Sequence, residues 1–380
     1  MSKIVYILGA GFSKSTNAPL QSEIIKEIFS INIADLDIEY QDLYKEYKEK
    51  FTYYLKSVMN FEVDDFNNIA LEDIYTPIDR SILDNINFRQ NSPTELINTR
   101  KIINGLISIM LDHNLKENKL KLEHISKFAK YLVKLRKSDV NGDPMAVLST
   151  NWDIILDNAL QKEIDCNNYH NSQEGIANVT GLIDYCCYIY SYETKKKLES
   201  GMQARALGKF NLKLLKLHGS MNWLQCKRCQ RLYITFFIKI SLYEILENSF
   251  CEECTKSLML ESVRGIPLSS QLIMPTFLKD LSNVQLKLMW QNAAIELSEA
   301  SKIVFIGYSF PMADFELRNL FANSIRKDVE IEVILYKYDV SPAGLLELFP
   351  EYRYRSFFGK KIKRVLYCGA EEYINNNLLQ

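Results

Sequence analysis

Four cysteines in two Cys-x-x-Cys pairs are the residues of this 380-residue chain whose type and spacing point most directly to chemistry. Cys226 and Cys229 form the first pair, 21 residues intervene, and Cys251 and Cys254 form the second. Four thiolates in two such pairs suit a tetrahedral Zn²⁺ ion and leave no coordination position for a substrate. The pattern therefore predicts a structural zinc site that holds a small lobe together. A coincidental arrangement or a redox pair is the alternative.

A glycine-rich turn near the N-terminus is the second chemical signal. Residues 4–8 are a short apolar run with β-branched side chains, typical of a buried strand in a parallel sheet. Gly9-Ala10-Gly11 follows, and a helical pattern begins near Leu20. A strand, a glycine turn and a helix together present backbone N–H groups to a phosphate. Lys14 replaces the third glycine of the usual dinucleotide-binding pattern, so a tight turn without a ligand is the alternative.

Small or polar residues also follow three later apolar runs, where strands are predicted to end. The four clusters are Gly9-Ala10-Gly11-Phe12-Ser13, Thr150-Asn151-Trp152-Asp153, His218-Gly219 and Gly307-Tyr308-Ser309. Parallel strands end at one edge of their sheet, and ligands bind at that edge in open α/β sheets. Each cluster alone has a structural explanation, such as a turn asparagine or a helix-capping aspartate. Their joint occurrence predicts one binding site.

The composition is that of an ordinary globular protein. Hydrophobic residues make up 47% and charged residues 24% of the chain, and 46 basic against 47 acidic side chains give a net charge of -1. This balance gives no reason to expect nucleic acid or an acidic membrane surface as a direct ligand. No run of about 18 apolar residues predicts a transmembrane helix, and the early strand leaves no room for a signal peptide. Paired cysteines in a large chain favour metal binding in a reducing cytoplasm.

The hydrophobic pattern predicts an α/β fold with a doubly wound, parallel, Rossmann-like sheet. The predicted strands are residues 4–8, 144–148, 212–217, 272–274, 302–306 and 331–335. Asp314 is the expected N-cap of a helix at residues 315–326.

Long insertions are predicted to interrupt this sheet. Residues 31–140 carry apolar residues at helical spacing and predict a helical insertion. A Rossmann domain is then expected from residues 1–30 together with 141–380, with a zinc-binding lobe at residues 221–262 inserted in it.

The four clusters and the paired cysteines resemble the sirtuin superfamily, and they look most like the sirtuin-like NADases of bacterial anti-phage defence. The order of the motifs matches, and the resemblance covers most of the chain outside residues 31–140. It implies binding and cleavage of NAD⁺ beside a structural Zn²⁺ ion.

The resemblance also assigns roles to individual residues. Asn151 and His218 are the implied catalytic residues, with His218 as the base. Asp153, with Asn151, faces the nicotinamide ribose and the carboxamide. The other implied NAD⁺-binding residues are Gly9, Ala10, Gly11 and Ser13 at the pyrophosphate, Phe12 within the same motif, and Gly307 and Ser309 at the adenosine half.

Two departures from the protein-deacylating sirtuins favour hydrolysis of NAD⁺. Deacylases carry Ser-Gly-Ile-Pro-Asp-Phe-Arg after the first glycines, where residues 16–22 of this chain read Thr-Asn-Ala-Pro-Leu-Gln-Ser. Asn17 can adopt the left-handed conformation of glycine, so the turn itself is expected to survive. Deacylases also carry Phe-Gly-Glu after the zinc module, where residues 273–278 read Ile-Met-Pro-Thr-Phe-Leu. The edge that pairs with a peptide backbone is therefore not recognisable.

The sequence thus suggests an NAD⁺ glycohydrolase that depletes NAD⁺ in anti-phage defence. Asn151 would position the attacking water and the ribose hydroxyls, and His218 would accept a proton. Because unrestrained hydrolysis would harm the host, the resemblance implies control by assembly into a homo-oligomer or by a partner, such as a HerA-type ATPase. The alternatives are an NAD-dependent protein deacylase, a non-catalytic nucleotide-binding scaffold subunit of a defence complex, and a nuclease. The sequence contains no carboxylate cluster that would indicate a nuclease.

Overall fold

The computed structural model describes residues 3–116, 121–139, 142–173, 180–245, 249–257, 265–336 and 349–378. Its strands are β1 Ile4–Leu8, β2 Met145–Ser149, β3 Gly181–Asp184, β4 Ile189–Ser191, β5 Phe210–Lys216, β6 Gly219–Cys226, β7 Leu232–Ile234, β8 Leu268–Leu272, β9 Lys302–Ile306, β10 Glu330–Ile334 and β11 Ile362–Leu366. Its α-helices are α1 Ala10–Ser13, α2 Ile24–Ser30, α3 Ile38–Tyr53, α4 Leu71–Asp84, α5 Pro93–Asn114, α6 Glu123–Ser138, α7 Ile155–Gln173, α8 Gly201–Ala206, α9 Glu252–Ser257, α10 Val284–Glu299, α11 Phe315–Ser324, α12 Pro350–Phe358 and α13 Gly369–Tyr373.

Within these residues, seven strands form a parallel sheet in the order β11-β10-β9-β1-β2-β5-β3. Strand β1 lies near the centre, and Ile4 is opposite Met145 of β2 on one side and Lys302 of β9 on the other. The chain proceeds to one side of β1 through β2 and returns on its other side with β9, so the winding reverses at β1. This confirms the predicted fold class, and strands β1 and β9 have the predicted bounds.

The sheet is covered on both faces, which explains the continuous apolar runs in its strands. Val5 to Leu8 of β1 and all of β2 are buried. Helix α6, which the sequence places in the helical insertion, packs Phe128 edge-on against Tyr6 of β1, with ring centroids 5.4 Å apart. The described part of residues 31–140 is helical, and its apolar residues share one core with the sheet. The domain boundaries themselves stay a prediction.

A second sheet carries one of the four paired cysteines, Cys226 at the end of β6, and Cys229 lies in the turn that follows it. It has the order β4-β7-β6-β8, and β6 runs antiparallel to both β7 and β8. The prediction of a strand at residues 272–274 is wrong, since that strand lies earlier, at Leu268–Leu272. Ser269, Ser270 and Gln271 obscured it because they are polar, and it pairs outside the main sheet. Residues 246–248 and 258–262 of the predicted lobe lie outside the described residues.

Glycines hold the loops after β1 and β9 in direct backbone contact. A Cβ on Gly9 would lie 2.5 Å from the Tyr308 Cα, and one on Gly307 would lie 2.2 Å from the Gly11 carbonyl carbon. Gly307 also has φ +64°. These glycines are therefore required by loop packing, whatever ligand the loops bind. Among the described helices, none combines the length and apolarity needed to cross a bilayer.

Gly307→Ala should destabilise the fold more than Gly208→Ala does. Both glycines have positive φ, but a Cβ at Gly208 would meet nothing within 4 Å. The left-handed backbone costs each variant roughly 1–2 kcal/mol, and the clash should cost Gly307→Ala about 1–3 kcal/mol more. Urea unfolding midpoints measure the difference, and equal losses would contradict the loop contact.

Candidate functional site

The four clusters singled out in the sequence meet at one edge of the main sheet. They follow β9, β1, β2 and β5, which are adjacent in that order. The winding reverses between β9 and β1, where open α/β sheets form their ligand crevice. The side chains of Ser13, Asn151, Asp153 and His218 are all buried here. The predicted gathering of polar residues at one edge is thus observed.

Ser13 joins the loops after β1 and β2. Its Oγ donates a hydrogen bond to Asp153 Oδ2 (2.9 Å) and accepts one from Asn151 Nδ2 (3.3 Å). Asp153 Oδ1 accepts a hydrogen bond from the Ile155 backbone N–H (3.1 Å) at the start of helix α7. Burial raises the Asp153 pKa above its ordinary value, against the opposing effects of Lys216, the Ile155 N–H and Ser13. Both Asp153 carboxylate oxygens therefore accept hydrogen bonds within the protein, and one of these bonds caps the start of helix α7.

Asn151 is held in a single orientation. Its Nδ2 donates to the Gly9 carbonyl oxygen (3.0 Å), which can only accept a hydrogen bond. The amide oxygen Oδ1 must then point the other way, and this buried atom has no hydrogen-bond partner. Buried polar atoms are normally paired, so an unpaired one calls for an explanation. A free acceptor at the carboxyl edge of a parallel sheet is suited to a ligand hydroxyl or water.

His218 ends the loop after β5, and its position depends on Gly219. The glycine has φ +78°, and a Cβ there would lie 1.8 Å from the Gln271 carbonyl oxygen. The His218 carbonyl in turn accepts a hydrogen bond from the Ile273 N–H (2.9 Å). The ring bonds to the Thr150 backbone, and its Nε2 has no hydrogen-bond partner. The bond to Thr150 therefore falls to Nδ1, which leaves Nε2 able to accept a proton.

Asp314 lies beside His218, a contact that the sequence did not reveal. Asp314 Oδ1 is 3.5 Å from His218 Nε2 and 3.0 Å from Lys279 Nζ, and its Oδ2 accepts a 2.7 Å hydrogen bond from the Tyr308 hydroxyl. Asp314 precedes helix α11 as predicted, but its side chain makes no capping hydrogen bond. Its helix-start position gave a sufficient local explanation, and no sequence signal showed that Lys279 would be buried beside it.

Burial sets the charge state of the histidine. Burial lowers the His218 pKa, Asp314 opposes this effect, and Lys279 adds to it, so the net pKa lies below the ordinary value. Burial would raise the Asp314 pKa, but His218, Lys279 and Tyr308 outweigh it and the net pKa is lowered. Near neutral pH the site therefore holds a neutral imidazole beside an ionised carboxylate.

The remaining predicted NAD⁺-binding residues border this site in different ways. The Gly11 N–H donates to the Gly307 carbonyl (2.8 Å) and the Phe12 N–H to the Gly9 carbonyl (2.8 Å), so backbone contacts engage both amides. The Phe12 ring packs on Phe128, with centroids 5.4 Å apart. Ala10 is half-buried, Ser309 is exposed, and the Ser309 carbonyl accepts hydrogen bonds from Arg353. Their assignment to NAD⁺ stays a prediction.

The structure describes both segments that depart from the deacylase pattern, residues 16–22 and 273–278. Asn17 has φ +80°, so it takes the left-handed conformation expected of it. Residues 273–278 form no strand. The Phe277 N–H instead donates to Thr76 Oγ1 (3.3 Å) on helix α4, which ties this segment to the helical insertion.

A buried ion pair between Lys216 and Asp157 lies next to Asp153, and the sequence did not predict it. Lys216 Nζ lies 3.0 Å from Asp157 Oδ2 and also donates to the Asp153 carbonyl. The Tyr185 hydroxyl donates to Asp157 Oδ1 (2.7 Å). Lys216 is on β5 and Asp157 on α7, so the pair joins the strand that leads to His218 with the helix that follows Asp153.

The four paired cysteines converge, as their spacing predicts. Cys226 Sγ lies 3.7 Å from Cys254 Sγ, Cys229 Sγ lies 3.7 Å from Cys251 Sγ, and all four sulfurs lie within 4.8 Å of one another. A tetrahedron with Zn–S bonds of about 2.3 Å has sulfurs about 3.8 Å apart, so the cluster fits Zn²⁺. A disulfide needs about 2.05 Å, which excludes one within these pairs. The Tyr233 hydroxyl, 3.3 Å from Cys251 Sγ, can support that thiolate.

A second group of acidic residues is occupied by lysines. Asp143, Glu296 and Glu299 come together at the amino edge of the sheet. Lys3 Nζ lies 2.6, 2.5 and 2.7 Å from their carboxylates, and Lys213 pairs with Asp143 and Glu296. The group is therefore an ion-pair network that closes the far side of the sheet from the candidate site.

Similarity of this chain to known proteins is found among solved structures. No protein-family model matches the chain, and no curated protein matches it. Similar solved structures include one from work on the mechanism and regulation of Sir2 enzymes, with 11% identity and a TM-score of 0.40, covering 98% of this chain and 90% of that one. A sirtuin from a study of substrate affinity has 12% identity, a TM-score of 0.37 and the same coverage. A Sir2 structure with a p53 peptide and NAD⁺ has 13% identity and a TM-score of 0.38, and covers 98% of this chain and 90% of its own. At these TM-scores we assign no activity from the likeness.

Cys226→Ser should lower both the zinc content and the melting temperature of the purified protein, because a buried thiolate ligand is lost. Cys166→Ser is the matched control, since Cys166 is exposed on helix α7 outside the cluster. Elemental analysis and thermal unfolding measure the two effects. Full zinc content with unchanged melting in Cys226→Ser would rule out the metal site.

Proposed function

We propose that the chain is an NAD⁺ glycohydrolase that cleaves the nicotinamide N-glycosidic bond. The observation that carries this proposal is the pair of unpartnered buried atoms at the sheet edge, Asn151 Oδ1 and His218 Nε2. One can orient a hydroxyl or water, and the other can take a proton. The resemblance of the surrounding motifs to sirtuin-like NADases supplies the substrate, and the neighbouring glycine loops lie at the switch point where dinucleotides bind.

The chain's own residues can account for the chemistry. The bond between ribose C1′ and the nicotinamide nitrogen breaks, and its electron pair leaves with neutral nicotinamide, so no strong acid is needed. A water oxygen then bonds to C1′, and one water proton passes to His218 Nε2 and on to solvent. Asn151 Oδ1 holds that water or a ribose hydroxyl in place. General-base help of this kind is typically worth about 10²–10⁴-fold in rate.

The structure also supports hydrolysis over deacylation at one point. A deacylase needs an edge strand that pairs with the backbone of its peptide substrate. Residues 273–278 form no strand, and the Phe277 N–H is already bonded to Thr76 of helix α4. This is the segment that aligns with the peptide-binding strand of deacylases.

Control of the reaction is part of the proposal. Asn151 and His218 are 8% and 9% exposed, so NAD⁺ must displace covering groups to reach their free atoms. An enzyme that would exhaust the NAD⁺ of its own cytoplasm benefits from such a closed resting state. We therefore propose that access to Asn151 and His218 is controlled by a defence partner or by assembly of several copies. A HerA-type ATPase is the candidate partner.

NAD⁺ consumption with release of nicotinamide should fall by at least about 100-fold in His218→Ala and in Asn151→Ala. Asn319→Ala is the matched control, because Asn319 is an exposed asparagine on helix α11. Purified protein is assayed by chromatography, alone and with the product of its neighbouring gene, and each variant is checked for an intact thermal transition. NAD⁺ binding without nicotinamide release under both conditions would argue for the scaffold role, and turnover of an acyl-lysine peptide for the deacylase.

The rate should also depend on pH through His218. A base must be neutral, so kcat/KM should fall as pH drops through the His218 pKa, which burial places below the ordinary imidazole value of about 6.5. The rate should therefore be constant from pH 7 to 8 and lost at more acidic pH. A midpoint above 7 would contradict a buried, neutral His218 as the base.

A further inference from the structure

We propose that Asp314 orients His218 and stabilises its protonated ring, and that Lys279 restrains this effect by binding the same carboxylate. The inference rests on the proposed function, in which His218 is the base. It adds a positioning residue and a restraint that the sequence motifs do not contain.

The geometry of one oxygen atom is the main evidence. Asp314 Oδ1 lies 3.0 Å from Lys279 Nζ but 3.5 Å from His218 Nε2. The first distance is a hydrogen-bonded ion pair, and the second exceeds the usual N–H···O length. Asp314 Oδ2 is occupied by the Tyr308 hydroxyl (2.7 Å), so the carboxylate cannot turn to offer His218 a second oxygen. Lysine and histidine therefore share Oδ1, and the lysine is the closer of the two.

The shared oxygen matters when His218 is protonated. A proton taken from the attacking water resides on Nε2, the ring nitrogen that faces Asp314. The new N–H can donate to Oδ1, and the carboxylate then stabilises the cation in a site from which water is excluded. Lys279, whose side chain is fully buried, places a second positive charge beside the same oxygen and weakens this stabilisation.

Glu316 is a further charged group that acts on His218. Glu316, on helix α11, favours the protonated ring through its negative charge and so raises the His218 pKa, and the Thr150 backbone bonds to the ring from the loop after β2. Glu316 Oε2 also lies 3.3 Å from Lys279 Nζ. Asp314 and Glu316 thus favour protonation of the His218 ring, whereas Lys279 disfavours it and lowers the His218 pKa.

The segment that carries Lys279 also contacts the helical insertion. Its Nζ donates to the carbonyls of Thr276 (3.0 Å) and Ala313 (2.8 Å), so it bridges the loop after β8 and the start of helix α11. The adjacent Phe277 N–H donates to Thr76 of helix α4. A partner that moves α4 would thus move the segment that holds Lys279 against Asp314. Binding at the helical insertion could in this way change the His218 environment.

Lys279→Met and Asp314→Asn should move the titration of His218 in opposite directions. The test is an NMR pH titration of the imidazole carbons in the full chain, with the His218 signal assigned by its loss in His218→Gln, which is practical because the chain has four histidines. Lys279→Met should raise the His218 midpoint by about 1 unit, and Asp314→Asn should lower it by about 1–3 units. Lys279→Arg keeps the positive charge and should leave the midpoint near that of the unaltered protein.

A midpoint that moves in neither variant, or that falls in Lys279→Met, would overturn the inference. If Lys279→Met does not fold, the isosteric Asp314→Asn decides alone, because its midpoint must fall. The same samples are assayed for NAD⁺ loss across pH, where the acid limb should follow the NMR midpoint. Shifted NMR midpoints without any NAD⁺ loss would uphold the Asp314 contact and reject the glycohydrolase, so the two failures are distinguishable.

Discussion

The structure depends on the parallel pairing of β1 with β2 on one side and β9 on the other. This pairing fixes where three strands end, and β5 beyond β2 adds the fourth. The loops after β1 and β9 then touch through Gly11 and Gly307, where a side chain would collide with backbone. The loops after β1 and β2 are joined in turn by hydrogen bonds of Ser13 and Asn151. Each candidate side chain is therefore held by backbone geometry that other strands impose.

Most polar groups in the site serve the fold and the site at once. Asp153 caps helix α7, Asn151 joins two loops, and Asp314 binds Tyr308 and Lys279. Asn151 Oδ1 and His218 Nε2, the candidate catalytic atoms, make no hydrogen bond within the protein. Leaving a buried acceptor unpaired costs stability, so the fold is less stable at this edge than it would be with these atoms satisfied.

The sequence predicted the sheet well because its signals are local and redundant. Apolar runs in β1 and β9 stand alone between polar residues, and two Cys-x-x-Cys pairs predict their own convergence. It failed where a residue's partner comes from a distant segment. Asp314 had a sufficient local explanation as a helix start, while Lys279 lies in a segment without regular structure. Strand β8 was misplaced because its polar middle residues face neighbours in the small sheet that no local pattern reveals.

The central position of β1 has a consequence for how the chain is made. Its two neighbours are residues 145–149 and 302–306, so β1 is completed by a strand that is synthesised long after it. At roughly 5–20 residues per second, β9 leaves the ribosome about 15–60 s after β1. During that interval one edge of an apolar strand is unpaired, and such an edge can pair with a foreign strand. The helices between β1 and β2 are synthesised in the same interval, and α6, which packs on Tyr6, can shield the strand's face until β9 arrives.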